Sequence, residues 1–223
     1  MIPPHNIPIL RNSQHCRLKF SPPRARPSKR CACVRRSIIF SGMGPLRYAL
    51  VAYVKAPMAE FVEQLRSELH SGLPHLPAHI TILPPRLLRA GEAEARSFVE
   101  EVCQRESPFE VVLGEVGTFV PVTPTVFLRV ARGAYRIREL HDRLNANGLE
   151  WEEEWLFMPH LTLAKMGSDT EATAALQVAT RLWSEYRGDR RVLVDELTFV
   201  REAAGNTWED LAPMPLGGEL VHQ

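Results

Sequence analysis

The chain has 223 residues, 45% of them apolar and 24% charged, with a formal net charge of +1. No uninterrupted apolar run approaches the roughly 18–20 residues that a membrane-spanning helix needs, so a helical membrane protein is excluded. The small net charge conceals an uneven spread, because residues 1–42 hold nine of the 27 Lys and Arg and no acid, leaving 18 bases against 26 acids. Such an acidic body binds nucleic acid poorly in a non-specific way, since phosphate neutralisation supplies most of that affinity. Any RNA contact is expected in a cleft.

Residues 1–42 are rich in Pro, Arg and Ser and show no sustained period. Three readings stand side by side: a stretch upstream of a true start at Met43, a disordered basic extension, or a transit peptide. The last has the Arg and Ser enrichment and lacks acids, but also lacks a clear amphipathic helix. The expected organisation is this extension followed by a single domain over 43–223. The four cysteines, Cys16, Cys31, Cys33 and Cys103, form neither a disulfide framework nor a zinc spacing. A reducing, cytoplasmic setting is expected, with Cys103 packed on the apolar face of a helix.

From Leu46 the pattern becomes regular. Residues 46–54 (LRYALVAYV) read as a buried strand, and Met58, Phe61, Val62, Leu65 and Leu69 follow at helical spacing, with a stop near Ser71-Gly72. A strand at 79–83 is expected to end at Pro84-Pro85. A helix over about 91–105 turns Ala95, Phe98, Val99, Val102 and Cys103 to one side, and strands follow at 109–120 and 124–131. The second half repeats this order. A helix at about 134–147 carries Ile137, Leu140 and Leu144 inward and ends at Asn147-Gly148. A strand over 157–165, a helix near 169–187 and strands at 191–201 and 207–214 complete the chain.

Within this order, His-Ile-Thr-Ile-Leu at 79–83 returns as His-Leu-Thr-Leu-Ala at 160–164, 81 residues later. The same shift lays Glu115 on Glu196, and Val-Gly-Thr-Phe at 116–119 beside Leu-Thr-Phe at 197–199. An internal duplication is expected, and a duplicated unit packs about a pseudo-twofold axis. In a strand, residues i and i+2 share one face, about 7 Å apart. Each motif therefore presents one imidazole beside one hydroxyl, and the pseudo-symmetry would oppose His79 with Thr81 to His160 with Thr162.

Breaking a phosphodiester needs a base for the attacking oxygen, an acid for the leaving oxygen and donors for the phosphoryl oxygens. Imidazole suits both proton roles because its ordinary pKa, about 6.5, lies near working pH. Threonine hydroxyls can donate where negative charge accumulates. No carboxylate accompanies the motifs and no Cys-x-x-Cys occurs, so neither a metal nor another cofactor is expected. Lys165 is a candidate for substrate phosphate, whereas Arg86 reads as a solvated surface residue. His75 is a weak candidate for the cleft, and His70, His141, His222, His5 and His15 are weaker. Tyr135, Trp155, Phe157 and Phe119 could stack a base, with core packing the default for each.

At these motifs the chain resembles the 2H phosphoesterase superfamily, named for paired His-x-Thr or His-x-Ser signatures, and it is most similar to the 2′-5′ RNA ligase-like branch. The resemblance rests on His79-Ile80-Thr81-Ile82-Leu83-Pro84-Pro85 and Pro159-His160-Leu161-Thr162-Leu163-Ala164-Lys165. Phe199-Val200-Arg201-Glu202, with Trp208 beyond, is similar to that branch's closing strand pair. It implies an α+β, bilobal, pseudo-symmetric fold with antiparallel sheets lining a central cleft and helices outside. It also implies hydrolysis of 2′,3′-cyclic phosphate or other 2′-linked phosphodiesters of RNA ends or nucleotides, and in some members the reverse 2′-5′ ligation. His79 and His160 would be catalytic and Thr81 and Thr162 would hold phosphate. The branch often has Arg where this chain has Lys165, which keeps the charge but loses the guanidinium fork. Three substrate readings follow: an RNA end, a small cyclic phosphate, or nucleotide or RNA binding without catalysis. A monomer is expected because the cleft would be intramolecular.

Overall fold

The computed structural model describes residues 46–69, 76–204 and 207–217. The basic stretch over 1–42 and the candidates His5, His15, His70, His75 and His222 lie outside them. In chain order the elements are β1 (Tyr48–Tyr53), α1 (Met58–Glu68), β2 (His79–Arg86), α2 (Glu92–Arg105), β3 (Phe109–Thr118), β4 (Thr125–Arg132), α3 (Ala134–Leu144), β5 (His160–Lys165), α4 (Asp169–Glu185), β6 (Arg191–Val194), β7 (Glu196–Ala203) and β8 (Thr207–Pro215). Among the described residues no helix is long and apolar enough to cross a membrane.

Each helix forms where one apolar stripe recurs at helical spacing. Met58, Val62 and Leu65 are buried on α1, Ala95, Val99 and Cys103 on α2, Ile137, Leu140 and Leu144 on α3, and Ala172, Ala175, Ala179 and Trp183 on α4. Ser168 caps α4 by accepting the Glu171 amide at 3.2 Å, satisfying one of the orphan donors of the first turn. After α3 the chain turns through Asn147 and Gly148, both with positive φ. A side chain at Gly148 would meet Ala90 Cβ at 2.3 Å, and the Gly148 carbonyl accepts the Arg89 amide at 2.8 Å. Only glycine fits there without strain.

The strands form two antiparallel four-stranded sheets, ordered β2-β1-β7-β8 and β5-β4-β3-β6. The two motif strands thus occupy equivalent edges, and they approach each other across the gap between the sheets. The duplication is visible in the register. Thr81 stands opposite Val51, which stands opposite Thr198; Thr162 stands opposite Phe127, which stands opposite Gly117. The outer members of these ladders differ by the same 81 residues as the motifs. Both motif strands also carry a bulge at the same place, passing over Ile82 in β2 and Leu163 in β5. This register pairs Gly117 with Thr198, so the two Thr-Phe dipeptides at 118–119 and 198–199 are offset by one residue.

Three sequence expectations are corrected. The first motif strand does not stop at Pro84-Pro85 but runs to Arg86. It is an edge strand, where a residue without an N–H is tolerated. The expected strand at 191–201 is two strands in different sheets, parted at Asp195, whose carboxylate holds Lys55 Nζ at 2.6 and 2.8 Å. The second motif strand begins at His160 rather than 157, since Phe157 leaves the sheet to stack on His141 at 4.0 Å.

Arg86 is a fourth correction, because it is 1% exposed rather than solvated. It donates to Pro84 O, Asn145 Oδ1, Leu149 O and Glu153 Oε1, pinning β2 to the loop after α3. Arg86→Met would orphan the Glu153 carboxylate and two carbonyls, with an expected cost of about 3 kcal/mol. Urea unfolding measures it, and an unchanged midpoint would show that these acceptors find other donors.

Candidate active site

Alternation along β2 and β5 sorts the motif side chains. Ile80 and Ile82, like Leu161 and Leu163, are fully buried in the main core, whereas His79, Thr81, His160 and Thr162 are half-buried on the opposite face. His79 and His160 are held in the same way. His79 Nδ1 donates to Pro77 O at 2.7 Å, and His160 Nδ1 donates to Met158 O at 2.7 Å. A carbonyl can only accept, so each neutral ring carries its proton on Nδ1 and leaves the Nε2 lone pair free. Tyr53 meets the His79 ring edge-on at 6.4 Å, while Phe119 and Phe127 meet His160 at 5.0 and 5.3 Å.

A cleft of about 210 Å³ opens here, lined by His79, Thr81, Thr162 and Lys165, together with Arg47 and Arg66. Its remaining walls are Ala49, Val51, Leu76, Pro85, Val200 and Trp208. Four of the five sequence-derived site residues therefore line one cavity. His160 does not line it; its ring sits against the two phenylalanines, though its charge is felt at His79. No Asp or Glu lines the cleft among the described residues, so an acidic body carries a cationic hollow suited to an anion.

Burial is the main cause that lowers His79, to a pKa of about 4, and the positive charges of Arg66, His160 and Lys165 act in the same direction. The hydrogen bond to Pro77 O opposes them. His160 is lowered as well, chiefly by burial and further by Lys165, against the hydrogen bond to Met158 O. In the unliganded protein both imidazoles are neutral at pH 7, and each is a competent base.

Sequence reasoning missed Arg66. Its Nε and Nη2 donate to Thr162 O at 3.2 and 2.8 Å, and its Nη1 donates to Leu76 O and Glu63 Oε1. One guanidinium thus ties α1 to the second motif strand and to the lead-in of the first. A signal existed: Arg66 falls on the apolar stripe of α1 with Val62, Leu65 and Leu69, where a charge needs a reason. Arg66→Met is expected to cost about 2 kcal/mol by orphaning the two carbonyls; a thermal midpoint equal to the wild type's would remove this bracing role. Arg47 at the rim pairs with Glu202, the partner of Trp208 in the β7–β8 register.

The weaker sequence candidates separate. His141 is buried on α3, donates from Nδ1 to Ile82 O at 2.8 Å and stacks on Phe157. Tyr135 and Trp155 are exposed and do not line the cleft. Of the four aromatic residues proposed for base stacking, Phe119 alone touches a motif histidine.

Comparison with known proteins agrees with this geometry. A Bacillus pumilus protein provisionally named a phosphoesterase is 26% identical over 175 residues, spanning 78% of this chain and 99% of its own. One from Halalkalibacterium halodurans with the same provisional name is 26% identical over 177 residues, with coverages of 78% and 99%. Crystal structures of Escherichia coli LigT, complexed with NADP+ and with 3′-AMP, share the fold at a TM-score of 0.54 and 17% identity, covering 78% of this chain and 100% of LigT. The sequence profile of the 2′-5′ RNA ligase superfamily matches residues 54–206, more than half of the length and both histidine motifs: the chain belongs to that superfamily.

Proposed function

We propose that the protein is a phosphodiesterase that opens 2′,3′-cyclic phosphates or other 2′-linked phosphodiesters at RNA ends or on nucleotides. The observation that carries this reading is the repeated imidazole arrangement, His79 and His160 each with Nδ1 tied to a carbonyl two residues back and Nε2 free. Water attacks phosphorus while one imidazole takes its proton. The bond from phosphorus to a ribose oxygen breaks, and the other imidazole, protonated, delivers a proton to that oxygen. Thr81, Thr162 and Lys165 hold the phosphoryl oxygens. Both rings are neutral before substrate arrives, so the phosphate's own negative charge must raise one of them and load the acid. The same step run backwards, with an RNA hydroxyl in place of water, forms a 2′-5′ linkage.

Escherichia coli LigT, crystallised with 3′-AMP and with NADP+, supports the choice of a nucleotide-like ligand. The test is a panel of nucleoside 2′,3′-cyclic phosphates, oligonucleotides with cyclic 3′ ends and 2′-5′ dinucleotides. The expected outcome is a phosphomonoester product at a rate unaffected by EDTA, because both proton transfers are assigned to imidazoles. Tight mononucleotide binding in calorimetry, with no member of the panel hydrolysed, would instead make the cleft a binding module.

A further inference from the structure

The pseudo-twofold axis is broken at two positions beside the histidines. The ladder registers make Val51 equivalent to Phe127, since each stands opposite the motif threonine of its own sheet. Val200 pairs with Ala49 in the first sheet, and the Phe119 amide donates to Thr125 O in the second, so Val200 is equivalent to Phe119. In the second sheet the phenylalanines stack at 4.2 Å and both pack on His160. The ring of Phe127 also lies over Gly117, where a Cβ would approach it to 3.0 Å. Two rings therefore fill that half of the site.

In the first sheet two valines stand where the rings would be, and the space they leave is the cleft itself. Ala49, Val51 and Val200 form a small apolar cluster separate from the main core, with Leu76 and Trp208 packed beside it. This apolar floor adjoins Thr81, Thr162 and Lys165, the groups assigned to phosphate. A ligand that fits both parts has a flat apolar ring a sugar's length from its phosphate.

We propose that this hollow is the nucleobase subsite, with the base lying on Val51 and Val200 against Trp208 on the His79 side. The inference rests on the phosphodiester reading above. It makes the cleft directional, because the phenylalanines deny the equivalent place beside His160 to a second base. Recognition is by shape and stacking, which every base satisfies, so broad base tolerance is expected.

Calorimetry with adenosine 2′-monophosphate and with a counterpart carrying a methoxy group in place of adenine tests it. Wild-type protein is expected to prefer the nucleotide by about tenfold or more, the scale of one stacked base. Val200→Phe, which copies the second half into the first, should bring that ratio close to one. Trp208→Ala should lower it too, and it decides the matter if Val200→Phe does not fold. A wild-type ratio near one, or an unaltered ratio in the folded variants, overturns the subsite. Turnover of adenosine 2′,3′-cyclic phosphate by the same preparation separates the two claims. Turnover without a ratio leaves the phosphodiesterase and removes the subsite; a ratio without turnover does the reverse.

Discussion

Replacing His79 or His160 with alanine is expected to lower kcat/KM for a 2′,3′-cyclic phosphate by about 10²–10⁴-fold, the usual contribution of a positioned acid or base. The two losses should not multiply. Acid and base act in one transition state, and removing either leaves the other without a concerted partner, so the double variant should be little worse than the poorer single one. Both rings lie on the outer face of their strands, away from the isoleucines and leucines that hold the core. Circular dichroism and unfolding midpoints should therefore stay close to the wild type's, which separates lost chemistry from lost fold. The arrangement of His160 sharpens the test, because its ring packs on Phe119 and Phe127 rather than lining the cleft. Full turnover by His160→Ala alongside an inactive His79→Ala would make the first motif the sole proton carrier and end the two-imidazole mechanism.

A second large effect is expected in stability against pH. His79 has a folded pKa of about 4, below the ordinary histidine value of 6.5, so the folded chain takes up this proton less readily than the unfolded one. The stability linked to this group is fully present above pH 6.5, falls as the unfolded state protonates, and is exhausted below about pH 4. The shift corresponds to about 3 kcal/mol as an upper bound, and His160 adds in the same direction. Carboxylates also titrate in this range, so the informative quantity is the difference between wild type and His79→Gln in unfolding free energy. That difference should move toward the variant as pH drops from 6.5 to 4. A constant difference would mean that His79 is no harder to protonate in the fold than in the open chain. Phosphate bound in the cleft should reverse the effect, and calorimetry in buffers of different ionisation enthalpy should then register proton uptake.

The elements, and the side-by-side placement of His79 with Thr81 and His160 with Thr162, were legible in the sequence because they depend on local periodicity. Alternation places i and i+2 on one face whatever the strand later pairs with, and helical stripes such as Ile137, Leu140 and Leu144 declare themselves within two turns. The duplication was legible for the same reason, as two copies of one local pattern. Pairing partners were not. Nothing local marks Asp195 as the point where the chain passes from one sheet to the other, or β2 as an edge able to hold two prolines. Nor does composition reveal that Arg66 and Arg86 are enclosed, because carbonyls and carboxylates from distant segments satisfy their donors. The cleft is the clearest case. β1 is buried on both faces, so cleft-facing Val51 reads the same as core-facing Leu50. Sequence by itself determined which side chains share a face; only tertiary structure decided what covers that face, since coverage is set by segments far apart in the chain.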